Sequence, residues 1–475
     1  MRRLTGLVFL LVSFSAYAAT FPSGQPSTTN NDDSCDIAVL PAATLLLPYF
    51  EVSATAPAQS ASTTLFTIVN TVREPQIAHV TIWTDLAWPV LTFNLVLTGY
   101  DVQSVNLYDV LVRGVIPQTS NATTRGARSL ANGANPHFFP TATDACAELR
   151  LGGPVPPLLQ QQLLPALTRG SYSGGPAGVV GMSHPDIAVG YATIDVTATC
   201  SNLLPSNPQY FQEILYDNVL TGDYQYVNPN AATGNYAGGN PLVHIRALPE
   251  GGPAGAGATA TNLPFTFYDR LTPAEVRQVD RRQPLPTTFA VRFIEGGPTA
   301  FQTKINIWRE AVTAPNAGAE ASAQNVMRIG EVIRFDEREN PTEVTPLTLL
   351  DPPPPDGETS PRFPAASSTL TGAGDFPALS GSGDVGGWIY INLNNRGSNA
   401  YSVAPDVDLK SNSSTTTGPR QSQNWVAASM YAEGRYSTLT DATMLSNGCT
   451  RAPATPYATT PGATVPPIGP GPNTP

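Results

Sequence analysis

Charge is scarce in this chain: Asp, Glu, Lys and Arg make up only 13% of its 475 residues, and 36 acidic residues outnumber 25 basic ones. A surface with a formal charge of −11 repels a phosphate backbone, which argues against nucleic acid as a partner. Histidine and cysteine are rarer still, at four each. No histidine sits in an HExxH spacing and no two cysteines form a CxxC pair, so no metal or cofactor is assigned. Long apolar runs are also missing. The run from Leu7 to Phe14 falls well short of the ~20 residues that cross a bilayer, and the mature chain is expected to have no transmembrane segment.

What is present points to an exported β protein. Apolar residues make up 41%, too many for a disordered chain, while 40 Gly and 47 Pro predict long loops. Met1-Arg2-Arg3, the apolar run and Ala16-Tyr17-Ala18 have the three parts of a secretory signal peptide, residues 1–18. Residues 19–34 read as a disordered linker and 451–475 as a disordered Pro-rich tail. The expected location is secreted or periplasmic, with the cell surface as a variant. Export makes Cys35, Cys146, Cys200 and Cys449 disulfide candidates with three connectivities open. Cys146 with Cys200 and Cys35 with Cys449 is favoured, because the second pair would tie the start of the folded region to its end.

Short runs of β-branched and aromatic residues recur between turn signals. Thr64–Val69 and Ile77–Thr84 read as a hairpin around the polar break 70–75, and 90–97 and 102–107 continue the pattern. A helix is expected near 158–167, a strand over 187–199, a second short helix over 210–220 and a short strand over 222–229. Phe289–Ile294 and Thr303–Trp308 then repeat the order of the first block, both blocks ending in Ile-Trp, as a duplicated sheet unit would. Further strands are expected at 328–335, 388–393 and 425–436. The fold class is therefore mainly β: antiparallel, immunoglobulin-like β-sandwich units with long Gly/Pro-rich loops and a few short helices. An N-terminal β-sandwich region spans 35–250 and a C-terminal β-rich region spans 285–450. Pro352–Pro355 reads as a linker between strands.

Most catalytic signatures fail on context. Gly381–Gly386 matches GxGxxG but leads into a strand, so it opens no helix to hold a pyrophosphate. Ser183 beside His184 lacks the strand-to-helix turn of a nucleophile elbow. His79 reads as a structural histidine on the strand face shared with Thr81 and Trp83. A glycosidase needs two carboxylates; Asp85, Asp101, Asp109, Asp195, Asp217 and Asp223 are available, with Asp101 better read as a turn former. The stronger lead is aromatic: Tyr216, Tyr224, Tyr226 and Tyr236 lie close together in a loop-rich segment, as a contact surface for sugar rings or protein, or else as packing over the sandwich.

The runs Leu47-Pro48-Tyr49-Phe50, Thr81-Ile82-Trp83-Thr84-Asp85, Leu97–Gln103, Asp217-Asn218-Val219-Leu220 and Leu285–Phe289 resemble those of a group of uncharacterised secreted bacterial β-rich proteins. The resemblance covers roughly Cys35 to Cys449. It implies a bacterial exported protein and transfers no site residues. The expected function is an exported binding or structural protein of the envelope or extracellular space, with polysaccharide or another envelope protein as partner. Two alternatives stand beside it: a secreted polysaccharide hydrolase using two carboxylates, and a fibre or surface-assembly subunit.

Overall fold

The structure is a computed structural model that describes residues 37–118, 152–172, 180–229, 236–248, 250, 266–268, 280–286, 288–309, 326–327, 331–344, 363–364, 368–371, 385–393, 423–432 and 435–445. These residues are mainly β, with several antiparallel sheets. The signal peptide, the linker 19–34, Pro352–Pro355 and the tail lie outside them, as do Cys35, Cys146 and Cys449. Cys200 is buried and disulfide-bonded, and its pairing lies outside the described residues.

The first sandwich is built from β1 (Thr44–Ser53), β2 (Thr63–Asn70), β3 (Gln76–Thr84), β4 (Pro89–Leu97), β5 (Val102–Asn106), β8 (Ile187–Thr197), β9 (Leu220–Val227), β10 (Tyr236–Pro241) and β11 (Val243–Ile245). Helix α1 (Leu107–Leu111), the two-residue strands β6 (Val115–Ile116) and β7 (Gly153–Pro154), helix α2 (Pro157–Arg169) and helix α3 (Tyr210–Glu213) punctuate it. A five-stranded sheet, β11-β1-β8-β3-β4, covers a four-stranded sheet, β10-β9-β2-β5. Leu45, Leu47, Val80, Ile82, Phe93 and Ile194 from the first meet Phe66, Ile68, Val105 and Tyr224 from the second.

A second sandwich follows from β12 (Thr288–Ile294), β13 (Gln302–Arg309), β15 (Glu331–Phe335), β16 (Pro341–Val344), β18 (Ser368–Thr371), β19 (Gly386–Asn392), β20 (Asn424–Ala432), β21 (Tyr436–Asp441) and β22 (Thr443–Met444), with β14 (Val326–Met327) and β17 (Phe363–Pro364) as a separate ribbon. It again sets a five-stranded sheet, β16-β15-β19-β12-β22, against a four-stranded one, β18-β13-β20-β21. Phe289, Val291, Phe293, Ile305, Ile307, Ile389, Ile391 and Val426 form its core.

The hairpin expected between Thr64–Val69 and Ile77–Thr84 is not formed. β2 and β3 lie in different sheets, and so do β12 and β13. Each connection arches across the sandwich, so the apolar faces of consecutive strands meet through the core instead of side by side. Asn70 secures the first arch: its Nδ2 donates to the carbonyls of Glu74 and Thr98 at 2.7 and 2.9 Å, and its Oδ1 accepts from Val72 N–H at 3.1 Å. Asp101 is a turn former, accepting from the Thr98 N–H and hydroxyl at 2.9 Å each. Helix α2 matches the expected helix and ends on Gly170 in the left-handed region, φ 63°. The expected helix over 210–220 stops after Glu213, because Ile214 turns extended and Leu215 N–H bonds the Val196 carbonyl at 2.8 Å.

Gly190, in the middle of the sheet, is required by close approach. A Cβ there would stand 2.0 Å from the Trp83 carbonyl oxygen and 2.9 Å from Phe50 Cζ. Gly190→Ala is expected to lower stability by about 1–3 kcal/mol, read as an earlier urea midpoint; an unchanged midpoint would show that β3 and β8 separate freely.

The two sandwiches are joined through a sheet face. Ile305 and Ile307 of β13 enter the second core, so Lys304, Asn306 and Trp308 point the other way. That face, with Ala427 and Leu439, packs on the first sandwich.

Candidate functional site

The densest group of ionisable side chains lies on the outer face of β11-β1-β8-β3-β4. Alternation along β3 sends Val80 and Ile82 into the core and His79, Thr81 and Trp83 outward. This outward face is dry, because residues 210–216, 266–268 and 280–286 cover it as a third layer. At its centre Asp195 accepts hydrogen bonds from the hydroxyls of Thr44, Tyr210 and Tyr268, the last at 2.7 Å. Arg282 bridges the layers. Its Nη1 is 2.6 Å from Asp280 Oδ1, its Nε is 3.7 Å from Asp195 Oδ1, and its guanidinium lies 5.0 and 5.3 Å from the Tyr216 and Tyr268 ring centres. Arg281 stacks on Tyr216 as well, at 4.1 Å.

Burial sets the proton chemistry of this layer. It would discharge Arg282, but Asp280 and Asp195 outweigh it and hold the guanidinium above its ordinary range. Burial, then the Asp195 charge, pushes the Tyr210 and Tyr268 phenols far up. Burial lowers His79 despite the Asn94 bond at 3.0 Å and the Asp195 charge, so its imidazole is neutral at neutral pH. Asp195, Asp280, Arg282, Tyr210 and His79 have no exposed surface. Their arrangement holds a polar layer shut and presents no group to a substrate.

Three of the four tyrosines of the expected surface, Tyr216, Tyr224 and Tyr226, make internal contacts. Tyr216 is buried beneath the two arginines. Tyr224 is buried and Tyr226 half-buried on the inward side of β9, where the sandwiches meet. Tyr226 donates to the Tyr49 carbonyl at 3.2 Å and its hydroxyl lies 3.3 Å from Asn306 Nδ2. Tyr236 is on β10 opposite Val227, and its side chain lies outside the described set. The correction has a plain cause: a Tyr with a hydroxyl partner nearby gains more by covering a seam than by facing water.

A histidine–carboxylate pair does reach the surface. Asp85 follows β3 and His184 precedes β8, so strand pairing brings together residues 99 positions apart. His184 Nε2 is 2.7 Å from Asp85 Oδ2, and Asp85 Oδ1 accepts from Met182 N–H at 3.0 Å. The carboxylate is buried and the imidazole about one-third exposed. Such a pair fixes a histidine tautomer and its orientation. Ser183 is exposed, and no hydrogen bond joins it to His184 among the described residues. His244 sits on β11 beside Gly222, and His137 lies outside the described residues.

A different aromatic row lies on the outer face of β16-β15-β19-β12-β22. Val291, Phe293, Ile389, Ile391 and Val332 point into the core, which turns Arg292, Trp388 and Phe335 outward, and register sets these three in line across β12, β19 and β15. Arg292 is exposed and its guanidinium lies 4.3 Å from the Trp388 ring centre; Trp388 and Phe335 are half-buried. No family model, curated protein or solved structure matches the chain.

Neither the Asp85–His184 pair nor this row was singled out from sequence. The signal for the row was present: Trp388 and Tyr390 alternate with Ile389 and Ile391, which already gives the strand an aromatic outer face. Of the six carboxylates considered, Asp195 is sealed inside, Asp85 holds His184, and Asp101 forms its turn. Asp109 pairs with Arg113 at 2.9 Å on an exposed helix end.

Proposed function

We propose that this chain is an exported binding or structural protein of the bacterial envelope or extracellular space, and that it binds polysaccharide through the outer face of its second sandwich. The row Arg292–Trp388–Phe335 carries this reading. Two aromatic side chains and an exposed guanidinium lie in register on three neighbouring strands, and sugar rings are gripped by apolar stacking together with a few oriented donors. The N-terminal signal pattern, the resemblance to secreted bacterial proteins and the disulfide at Cys200 support export, since cystines persist in oxidising compartments.

A polysaccharide array read together with reducing-sugar release tests the proposal. Binding without release is expected, and Trp388→Ala is expected to weaken it by at least about tenfold, the loss of one stacked aromatic anchor, with an unchanged unfolding midpoint. Release of reducing ends would move the protein to the hydrolases. Undiminished binding by the Trp388 variant would place the contact surface elsewhere.

A further inference from the structure

The seam between the sandwiches contains a carboxylate that no cation pairs among the described residues. Asp441 ends β21, the outer strand of its sheet, where it runs beside β10, the outer strand of a sheet in the other sandwich. Its Oδ1 accepts from Asn240 Nδ2 of β10 at 2.8 Å and from Trp425 Nε1 of β20 at 3.0 Å. Asn240 and Trp425 are each 5% exposed, and Asn240 Nδ2 also lies 3.2 Å from the Tyr224 hydroxyl. Both donors are neutral, and both address one oxygen. The other oxygen is therefore the place for a proton, and protonation keeps both hydrogen bonds.

Among the described residues, the surrounding charges do not neutralise this site. From β9 it meets Tyr224, whose phenol burial keeps protonated, with Tyr226 beyond it. Asp223 lies on the opposite, exposed side of β9. On the same sheet face as Asp441, Lys304 of β13 is bound to Glu51 of β1 and stacks on Tyr49. Burial alone would raise Glu51, but the Lys304 charge outweighs it and holds that carboxylate below its ordinary range. Arg435 is exposed beyond the far end of β21.

We propose that the seam between the two sandwiches is proton-sensitive, closing more tightly when Asp441 is protonated and loosening when it ionises. Asp441 is the group that titrates in a useful range: burial lifts it from 3.8 to about 6, against the two hydrogen bonds that lower it. When the seam opens, water returns the carboxylate to its ordinary value. The closed seam then binds more protons than the open one between these two values, so closure strengthens as pH falls through 6 and levels off below about 4. Above 6 its strength is constant. The Glu51–Lys304 pair acts in the opposite sense: its contribution starts to fall once pH drops below the ordinary Glu value and is lost as pH passes through the lowered value of the closed pair.

Hydrogen exchange of the full-length protein, corrected for intrinsic rates and followed on β10 and β21, reads the seam directly. Protection is expected to rise about tenfold between pH 7.5 and pH 5, as follows from a displacement of this size. Asp441→Asn, neutral at every pH, is expected to remove this rise. Trp425→Phe deletes one hydrogen bond that favours the ionised form and is expected to move the midpoint of the rise to higher pH. A pH-independent wild type, a rise of equal size in Asp441→Asn, or a midpoint that Trp425→Phe lowers would each overturn the proposal.

Discussion

Arg282→Ala is expected to be among the most damaging single substitutions in the chain, costing about 3–5 kcal/mol at pH 7. The reason lies in what remains, not in what the ion pair contributes. Removing the guanidinium takes away the cation that bridges the enclosed Asp195 and Asp280, uncovers the Tyr268 ring and leaves Tyr216 with Arg281 alone. Arg282→Lys keeps the charge but not the fork or the stacking, and should fall between the two. Urea unfolding at pH 7 checks this. A loss below about 1 kcal/mol would mean that water replaces the guanidinium.

Trp308→Ala is the second large effect. Trp308 is 2% exposed and stands where the sandwiches and the third layer meet. Its ring stacks on Phe267 at 5.5 Å and meets Tyr191 edge-on at 5.9 Å, and Tyr191 in turn stacks on Trp83 at 5.7 Å. The two Ile-Trp ends noticed in the sequence are thus joined through a single tyrosine. Truncation empties a large volume between elements too rigid to close over it, and about 3–5 kcal/mol should be lost. Trp308→Phe should recover a good part, because it restores the stack on Phe267. If alanine costs less than about 1 kcal/mol, the sandwiches are held chiefly by the Glu51–Lys304 and Asn240–Asp441 contacts.

The mainly β class was legible because alternation is a local property. Val80 and Ile82 against His79, Thr81 and Trp83, or Ile305 and Ile307 against Lys304, Asn306 and Trp308, state that a strand has two unlike faces. They do not state what covers each face. Lys304 and Asn306 look like solvated positions and are seam residues, since a polar side chain with a matched partner is buried as readily as an apolar one. Sheet partners were illegible for the same reason. The break 70–75 has the composition of a hairpin turn, and only the Asn70 hydrogen bonds to Glu74 and Thr98 show it as an arch. β10 was missed because its Gly238-Gly239-Asn240-Pro241 run breaks both alternation and propensity. The Asp85–His184 pair depends on the register of β3 with β8, which no spacing within the sequence records.

The distance along the chain between seam partners dictates an order of assembly. Asn240 and Asp441 are 201 residues apart, Glu51 and Lys304 are 253 apart, and Arg282 reaches back 238 residues to Thr44. Every strand of the first two sheets, by contrast, is complete by Ile245. Loops of that length are closed late, after local pairing has fixed their ends. The first sandwich therefore condenses while Glu51, Tyr226 and Asn240 still face water. The strap carrying Arg282 then seals the polar layer, and the second sandwich arrives on a surface already made. A ribosome delivering the chain from its N-terminus supplies the pieces in that same sequence.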